Sequence, residues 1–456
     1  MIVLIHRADL IIFLSIFLTL SIHANQEYDL IISNVNLIDG SGSPLQKNVN
    51  IFIKNNKIEK IDSSDIGSAE VVIDGTGKFL IPGLFDCHTH PGQIEKTFPK
   101  FIHYGVTSIL VTGCSTCSDE NYSQMRSLGE QNSIPAPRVF HTSQHFTMEG
   151  RHPVKTYKSN NWVEGKTVFF LRDTLQIESI VKQVADQPIV GIKLTIEEGP
   201  APPFVERMPQ EFVSKVVKEA AEYDLEVFAH VSDNMELSIA QKAGVQNLVH
   251  FTGVDIDWQR DTELVQKLAA DNVSWITTLM IDKGFLYRLY PEWLEKPGIK
   301  ESYDSAYVIG ISDPNRKETV KNFMLAVYGV EEPTIENIII PQADDIKKLY
   351  GLGINFALGT DTGNEFIFPG YSLHEEMQLM EMGGFDQMEI IKMATHNAAI
   401  MLNVIDTLGT IEEGKVADML LLDQNPLDEI KNTLSINLVI KGGKIQQRID
   451  LEKSKQ

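Results

Sequence analysis

Two histidines separated by one residue follow an apolar run in the first quarter of the chain. They are His88 and His90, in the segment GLFDCHTHPG. In a β-strand, residues two apart point to the same side of the sheet, so both imidazole rings would face one way while Thr89 faces the other. This arrangement can chelate a metal ion. Two surface histidines before a turn at Pro91 and Gly92 are the simpler alternative, and the pair alone leaves both interpretations open.

The middle of the chain alternates between helical and extended patterns. In MPQEFVSKVVKEAAEYDLEVFAHV, apolar residues recur at helical spacing and are followed by a short extended run, and MELSIAQKAGVQNLVHF and TELVQKLAADNVSWITT repeat this order. Serial helix–strand units predict parallel strands, and there are enough units to close a (β/α)8, TIM-like barrel of class α/β. The strands are predicted to end near His90, Thr112, His141, Lys193, His230, His250, Thr278 and Asp361.

Most of these strand ends carry a side chain that can bind or bridge a metal ion. The catalytic groups of such barrels come from the carboxyl ends of the strands, so these side chains would meet on one face. A lone histidine at a strand end more often packs or forms a hydrogen bond, but this many together favour a metal site.

The two ends of the chain differ from the middle. Short, alternating, β-branched segments bounded by Gly, Asn or Asp occupy residues 25–81, and the same pattern returns in residues 405–456. We therefore predict a small β-sandwich domain built from both ends, with the barrel over residues 82–404.

A segment after the seventh predicted strand, about residues 280–345, is too long for an ordinary barrel loop. Its aromatic residues have partly helical spacing: Phe285, Tyr287, Tyr290, Trp293, Tyr303, Tyr307, Phe323 and Tyr328. One interpretation is an extra helical pair whose aromatic side chains pack on the barrel. The other is a lid, because the segment leaves from the face predicted to carry the chemistry.

Composition limits the partners of the chain. The 456 residues are 43% hydrophobic and carry a formal net charge of -22, which is typical of a large globular protein. The acidity argues against nucleic acid, because no basic patch large enough to neutralise several phosphates is visible. A small-molecule substrate is favoured.

Residues 1–24 have the pattern of a secretory signal peptide. Arg7 precedes an apolar stretch from Leu10 to Ile22, and Ala24 is a small residue at the expected cleavage point. The stretch is short for a membrane span, which needs about 20 apolar residues. We expect a periplasmic or secreted protein without membrane insertion after cleavage; an uncleaved anchor is the alternative.

The chain has three cysteines, Cys87, Cys114 and Cys117. In an oxidising compartment the CSTC segment can close a small loop disulfide, and two free thiols are the alternative. A zinc-ribbon site would need a second pair of thiolates, which the chain lacks.

Five segments, taken in order, resemble the metal-dependent amidohydrolase superfamily. They are GLFDCHTHPG, VGIKLTIEEG, VFAHVSD, NLVHF and FALGTDTG. The tail from LHEEM to NPLDEI is similar to the imidazolonepropionase-like or prolidase-like branch. The resemblance runs from about Tyr28 to Asp450 and is specific as a set. It favours a homo-oligomer, although nothing in the chain marks an interface.

The resemblance implies six ligands for two divalent ions: His88, His90, Lys193, His230, His250 and Asp361. The first two histidines and the aspartate would hold the more buried ion, the other two histidines would hold the more exposed ion, and the lysine would bridge them as a carbamate. Burial among cations lowers the pKa of a lysine, and the neutral amine can then capture carbon dioxide. A barrel-filling lysine paired with Glu197 is the alternative. The imidazole-rich set suits zinc best, with manganese, cobalt or iron compatible.

This site predicts hydrolysis of a C–N bond. Two ions about 3.5 to 4 Å apart can bridge a water and hold it as hydroxide for attack on a carbonyl. Asp361 would accept the proton and deliver it to the leaving nitrogen, and Thr360 and Thr362 would hold its second oxygen. The predicted substrate is a cyclic amide or a dipeptide with a free carboxylate. A lactonase, esterase or phosphotriesterase with the same metals is the close alternative, and a non-catalytic binding protein is the distant one.

Contacts to the substrate are predicted at two places. In FHTSQHFTMEGRHP, after the third strand, His145, Arg151 and His152 would reach a substrate carboxylate or the oxyanion; an ordinary solvated loop is the alternative. Relatives often have a glycine-rich GGHG kind of loop here, so the resemblance carries over only His152. His374 begins the helix after the last strand and would orient that side of the site.

Overall fold

The computed structural model describes residues 27–64, 67–157, 159, 161–199, 204–303 and 313–450. The predicted signal peptide and Tyr307 of the aromatic segment lie outside these ranges. Among the described residues, we find no helix with the length and hydropathy of a membrane span.

Strands occupy both ends of the described chain and alternate with helices between them. They are β1 Tyr28–Leu37, β2 Gln46–Lys54, β3 Lys57–Asp62, β4 Ala69–Asp74, β5 Phe79–Pro82, β6 Leu84–Thr89, β7 Val106–Val111, β8 Arg138–His141, β9 His145–Thr147, β10 Val168–Phe170, β11 Gly191–Thr195, β12 Glu226–His230, β13 Asn247–Val249, β14 Ser274–Ile276, β15 Asn355–Ala357, β16 Met419–Leu422, β17 Ile436–Lys441 and β18 Lys444–Ile445.

The α-helices follow the strands of the middle region. They are α1 Ile94–His103, α2 Asp119–Gly129, α3 Ile177–Ala185, α4 Gln210–Ala221, α5 Asn234–Ala243, α6 Thr262–Ala270, α7 Met280–Leu289, α8 Ile299–Ser302, α9 Pro314–Tyr328, α10 Ile340–Gly351, α11 Tyr371–Met382, α12 Gln387–Met393 and α13 His396–Met401.

Local sequence explains why these helices begin and end where they do. In α5 the Asp233 side chain accepts a hydrogen bond from the Glu236 backbone N–H, and Gly244 ends the helix in the left-handed conformation. In α4 the predicted apolar positions Phe212 and Val216 are buried against the sheet core.

Two parallel sheets form the middle of the molecule. One contains β6–β7–β8, and the other has the order β10–β9–β11–β12–β13–β14–β15. Within the described ranges they are separate sheets rather than one closed barrel, although backbone hydrogen bonds join them on both sides. Cys87 N donates to Leu358 O, and Val190 N donates to His141 O, each at 2.9 Å. The predicted mixed α/β fold with parallel strands is therefore confirmed.

The predicted strand ends agree with the structure to within two residues, except at Asp361. This residue lies four positions beyond the end of β15. Asp361, His250 and Thr278 all have positive φ, at 63°, 73° and 60°. Residues other than glycine seldom adopt this conformation, and it turns the chain out of the strand direction.

Strands from both ends of the chain share one further sheet of eight strands. Its order is β18–β17–β16–β5–β1–β2–β3, with β4 also paired to β1. The described strands of the two ends make one hydrogen-bonded sheet, and the predicted β-sandwich domain stays a prediction. Leu30, Ile51, Leu80, Met419 and Leu421 belong to its common apolar core, so residues far apart in sequence bury one another.

The described part of the aromatic segment is largely helical, and its rings pack on one another and on the loop after β15. Tyr287 contacts Trp293 and Phe368 with ring centroids 5.9 and 6.1 Å apart. Phe285 of α7 contacts Phe323 of α9 at 4.7 Å. These last two rings also line the cleft described below, so the helical pair forms a wall of that cleft.

Candidate metal centre

The six predicted ligands lie in the parallel strands or within four residues of their carboxyl ends. Four of them are at least nine-tenths buried: His88, Lys193, His250 and Asp361. The side chains of His90 and His230 are 25% and 17% exposed. The strands therefore bring all six toward one face of the two sheets.

Three donor atoms converge at the end of β6. His88 Nε2 and His90 Nε2 are 3.3 Å apart, and they lie 3.4 and 3.0 Å from Asp361 Oδ1. His250 belongs to the same group, because its ligand atom lies within 4.8 Å of those of His88 and Asp361. Thr278 Oγ1 is 2.8 Å from His250 Nδ1 and fixes that ring. His250 Nε2 is buried without a hydrogen-bond partner among the described residues, which suits a ligand position.

A second group of ligand atoms lies beside the first. It consists of His152, Glu197 and His230. Glu197 Oε2 is 2.5 Å from His230 Nε2 and 3.7 Å from His152 Nε2. His230 and His250, which the sequence assigns to one ion, thus fall into different groups, although their ring centroids are only 4.0 Å apart.

Lys193 is 1% exposed, and its Nζ has no hydrogen-bond partner in the described part of the chain. The alternative pairing with Glu197 is not seen, since that carboxylate contacts the two histidines instead. Burial lowers the pKa of Lys193 to about 8, against the opposing effect of Asp361 and Glu197. A neutral amine is therefore accessible near physiological pH.

Burial favours the neutral form of three imidazoles of the site, those of His88, His230 and His250. Burial, followed by the charges of neighbouring histidines and Lys193, holds the pKa of His88 well below its usual value. The pKa values of His230 and His250 are lowered in the same way. Metal ligation requires the unprotonated ring, so this electrostatic environment fits the role.

Asp86 supports two of the ligands and was missed by the sequence analysis. Its Oδ1 accepts hydrogen bonds from Thr360 N at 3.0 Å and His88 N at 3.3 Å, and its Oδ2 accepts one from Thr360 Oγ1 at 2.7 Å. The prediction that Thr360 and Thr362 hold the second oxygen of Asp361 is wrong, because the Thr360 hydroxyl is used by Asp86 and lies 2.6 Å from that of Thr362.

Two of the three predicted substrate contacts after the third strand face a cavity at the site, and the third does not. His145 and His152 line a cavity of about 220 Å³ together with the metal ligands, and His152 is also one of the candidate ligands. Arg151 is turned away, because its guanidinium donates to Arg207 O and, at 2.9 Å, to Glu206 Oε2. The sequence of a loop does not predict which way such a side chain points.

The prediction for His374 is wrong. Its ring nitrogens are each 2.8 Å from another partner, Thr433 Oγ1 and Tyr104 O. The side chain is fully buried and lies among residues of α1, α11 and the C-terminal region, away from the residues that line the cavities. It therefore stabilises the packing of α11.

Two cavities open at the ligands. The smaller one is the cavity lined by His145 and His152, and Cys114 also lines it. Cys114 forms a disulfide with Cys117, and Cys87 is a buried free thiol. The larger one, about 450 Å³, has His230, His250 and Asp361 on one side and residues of α7 and α9 on the other. We call this larger cavity the cleft.

Residues 79–446 match the Amidohydrolase family. The chain belongs to this family. It is therefore a hydrolase that acts on carbon–nitrogen bonds, and the resemblance to the imidazolonepropionase-like and prolidase-like branch is confirmed.

Curated relatives align with most of the length of this chain. Ochratoxinase of Aspergillus niger is 26% identical over 90% of this chain and 85% of its own length. Imidazolonepropionase of Caldanaerobacter subterraneus subsp. tengcongensis is 25% identical over 86% of this chain and 88% of its own length.

Solved structures share the fold of this amidohydrolase. A Xaa-Pro dipeptidase with bound methionine in the active site has a TM-score of 0.71 and 23% identity over 92% of this chain and 99% of that one. The structure of Aspergillus niger ochratoxinase has a TM-score of 0.69 and 19% identity over 92% of this chain and 96% of that one.

Proposed function

We propose that this chain is a metal-dependent amidohydrolase that cleaves an amide bond of a small molecule. The observation that carries the proposal is the convergence of His88 Nε2, His90 Nε2 and Asp361 Oδ1 within 3.4 Å of one another. We also propose that the two parallel sheets close into a (β/α)8 barrel around this site, a proposal supported by the backbone hydrogen bonds that join them on both sides.

The residues present fit two divalent ions. Four imidazoles, a carboxylate and a buried lysine without a hydrogen-bond partner among the described residues form the donor set. The six predicted ligands would hold the ions, with Lys193 as a bridging carbamate, and Glu197 and His152 lie close enough to assist. When bound, divalent ions, most suitably zinc, lower the pKa of a water molecule and polarise a substrate carbonyl.

Asp361 is the residue of this site that would move the proton. Although burial opposes it, the hydrogen bond with His90 and the charge of Lys193 hold the pKa of Asp361 below its usual value. The carboxylate is therefore ionised at neutral pH and can accept a proton from the water that attacks the carbonyl. It would then return this proton to the leaving nitrogen.

The substrate and the compartment are parts of the same proposal. The names of the relatives, ochratoxinase, imidazolonepropionase and Xaa-Pro dipeptidase, support a cyclic amide or a dipeptide-like amide as substrate. Export is proposed from the signal-like residues 1–24, and the Cys114–Cys117 disulfide supports an oxidising compartment.

The first test combines metal stoichiometry and intact mass with a hydrolysis panel of dipeptides, cyclic amides and lactones. We expect two metals per chain, a mass increase that matches one carbamate, and turnover of an amide. Lys193→Ala should lose metal, and a short carboxylic acid should restore part of it. Lys441→Met, which changes a buried lysine remote from the ligands, serves as control. Full metal content in Lys193→Ala would refute the bridging role, and a metal-loaded protein inactive on every amide would refute the function.

A further inference from the structure

The wall of the cleft opposite the ligands is built from one face of each of two helices. The residues of α7 that line it are spaced i, i+3, i+4 and i+7: Ile281, Gly284, Phe285 and Arg288. The residues of α9 that line it are Phe323, Ala326 and Val327. This wall is apolar except at one end, where Arg288 lies.

Close packing fixes α7 against the loop that follows Asp361. A Cβ atom on Gly284 would lie 3.0 Å from Glu365 O and 3.6 Å from the Ile367 side chain, so the helix approaches this loop as closely as a glycine allows. The cleft volume of about 450 Å³ lies within the range of small-molecule sites. The wall is thus positioned to contact a group attached to the bond that the ligands face.

Two guanidinium groups share one carboxylate at the polar end of the wall. Arg288 Nη2 contacts Glu365 Oε2, and Arg316 Nη1 lies 3.4 Å from Glu365 Oε1. Two positive charges therefore meet one negative charge. The Arg288 side chain is only 21% exposed, and burial together with the charge of Arg316 lowers its pKa. A second carboxylate here would restore charge balance and find guanidinium donors in a partly dehydrated place.

Apart from Glu365, two acidic residues of the cleft lie on the side away from Arg288. Glu198 and Asp233 follow β11 and β12 and are both paired with Arg207. Arg288 and Glu365 follow β14 and β15, so β13 separates the two sides in the sheet order. An anionic end of a substrate is therefore attracted toward Arg288 and repelled from the acidic side.

We propose that the α7–α9 wall binds an apolar substituent of the substrate and that Arg288, supported by Arg316, binds a carboxylate at its end. Arg288 and Phe285 are thus specificity-determining residues for an amide that carries an aromatic or branched aliphatic group and a carboxylate. This inference rests on the proposed amide hydrolysis.

Matched substrates test the carboxylate contact. The probes are N-acetyl-phenylalanine and its carboxamide, and the measured quantity is the ratio of their kcat/KM values, which cancels general damage to the enzyme. We expect the wild type to prefer the acid, and Arg288→Gln to reduce this preference about 10- to 100-fold, the range for loss of one charge-assisted contact. Arg260→Gln, at an exposed arginine paired with Asp261, is the control and should leave the ratio unchanged. An unchanged ratio in Arg288→Gln would overturn the assignment.

The apolar wall is tested with a second variant. Phe285→Ala should reduce the preference for N-acetyl-phenylalanine over N-acetyl-glycine by about tenfold, because a buried aromatic contact is lost. Tyr223→Ala, which removes an exposed ring at the end of α4, should not. If Phe285→Ala keeps the wild-type preference for N-acetyl-phenylalanine over N-acetyl-glycine, the wall does not determine specificity.

A binding measurement separates this inference from the proposed function. Calorimetry with 3-phenylpropionate and 3-phenylpropionamide requires no turnover. If the acid binds at least tenfold more tightly and Arg288→Gln abolishes the difference, the anion site stands even if the hydrolysis panel fails. If amides are hydrolysed but the two ligands bind equally to both proteins, the function stands and this inference fails.

Discussion

Lys193 and Asp361 share one buried cluster, but their environments act on them in opposite ways. Burial lowers the pKa of Lys193 to about 8 and thus favours the neutral amine. At Asp361 the hydrogen bond with His90 and the charge of Lys193 outweigh burial, so that the carboxylate stays charged. The same cluster therefore supports a nucleophilic amine and an ionised base near neutral pH.

Asp361→Asn tests the base directly. We expect the variant to keep much of its metal, since an amide oxygen remains, while kcat falls about 100- to 10,000-fold because the proton acceptor is gone. Metal analysis and steady-state kinetics on the same sample measure both quantities. Asp186→Asn, at an exposed aspartate that follows α3, is the matched control. Near-normal turnover of Asp361→Asn would exclude it as the base.

Most site residues were predictable because their spacing follows strand geometry. His88 lies in β6 and His90 one residue beyond its end, two positions apart, and the other predicted ligands occur where a helix–strand pattern ends. Glu197 carries the same signal, since Lys193, Thr195 and Glu197 are two residues apart, but the sequence does not say that the extended chain continues past Thr195. His374 shows the limit, because a position in the first turn of a helix does not specify which neighbour that turn contacts.

At the scale of elements, alternating patterns predicted the parallel strands well and their ends less exactly. Asp361 lies four residues beyond β15 and itself has a positive φ of 63°, a conformation that the local sequence of a residue other than glycine seldom predicts. The two parallel sheets, the additional strands β9 and β10, and the connected end sheet depend on pairings between distant segments. Local pattern does not contain that information.

The helices of the aromatic segment are joined by a buried polar cluster. Asp282 of α7 accepts hydrogen bonds from Tyr328 of α9 at 2.8 Å and from Gln342 of α10 at 2.9 Å, both through Oδ2. Its Oδ1 has no partner among the described residues. The cluster fixes the wall of the cleft at the cost of burying a carboxyl group.

Asp282→Asn should change how stability depends on pH. Burial raises the pKa of Asp282 to about 6, whereas an unfolded aspartate titrates near about 3.9. The folded state thus binds this proton more tightly, so the stabilisation is fully present below about pH 4 and is lost as the pH rises through about 6. Relative to the variant, the wild type should lose about 1 to 2 kcal/mol between pH 5 and 8.

Denaturant unfolding of both proteins at pH 5 and pH 8, with metal content held constant, measures this difference. Asp344→Asn changes an exposed carboxylate on α10 and should follow the wild type. Parallel pH profiles for the wild type and Asp282→Asn would show that the buried carboxyl group does not titrate in this range.

At the scale of the whole molecule, the end sheet is joined to the parallel sheets by a buried ion pair. Arg138 of β8 binds Asp418 through Nε at 2.7 Å and Nη2 at 3.2 Å. Asp418 O also accepts from Gly83 N at 2.9 Å, directly before β6, and its Oδ1 accepts from Gly442 N at 2.6 Å. Asp418 therefore connects the end sheet with the strand that carries His88.

Asp418→Asn should destabilise the whole molecule. It leaves the Arg138 guanidinium, whose side chain is 21% exposed, without its charged partner, and breaking a largely buried pair costs about 3 kcal/mol or more. The exposed pair of Lys267 and Glu263 provides the comparison, since Glu263→Gln should cost less than about 1 kcal/mol. Thermal and denaturant unfolding of the metal-loaded proteins measure both. A cost for Asp418→Asn no larger than that for Glu263→Gln would mean that the two parts of the molecule are held together by apolar packing, with little contribution from this ion pair.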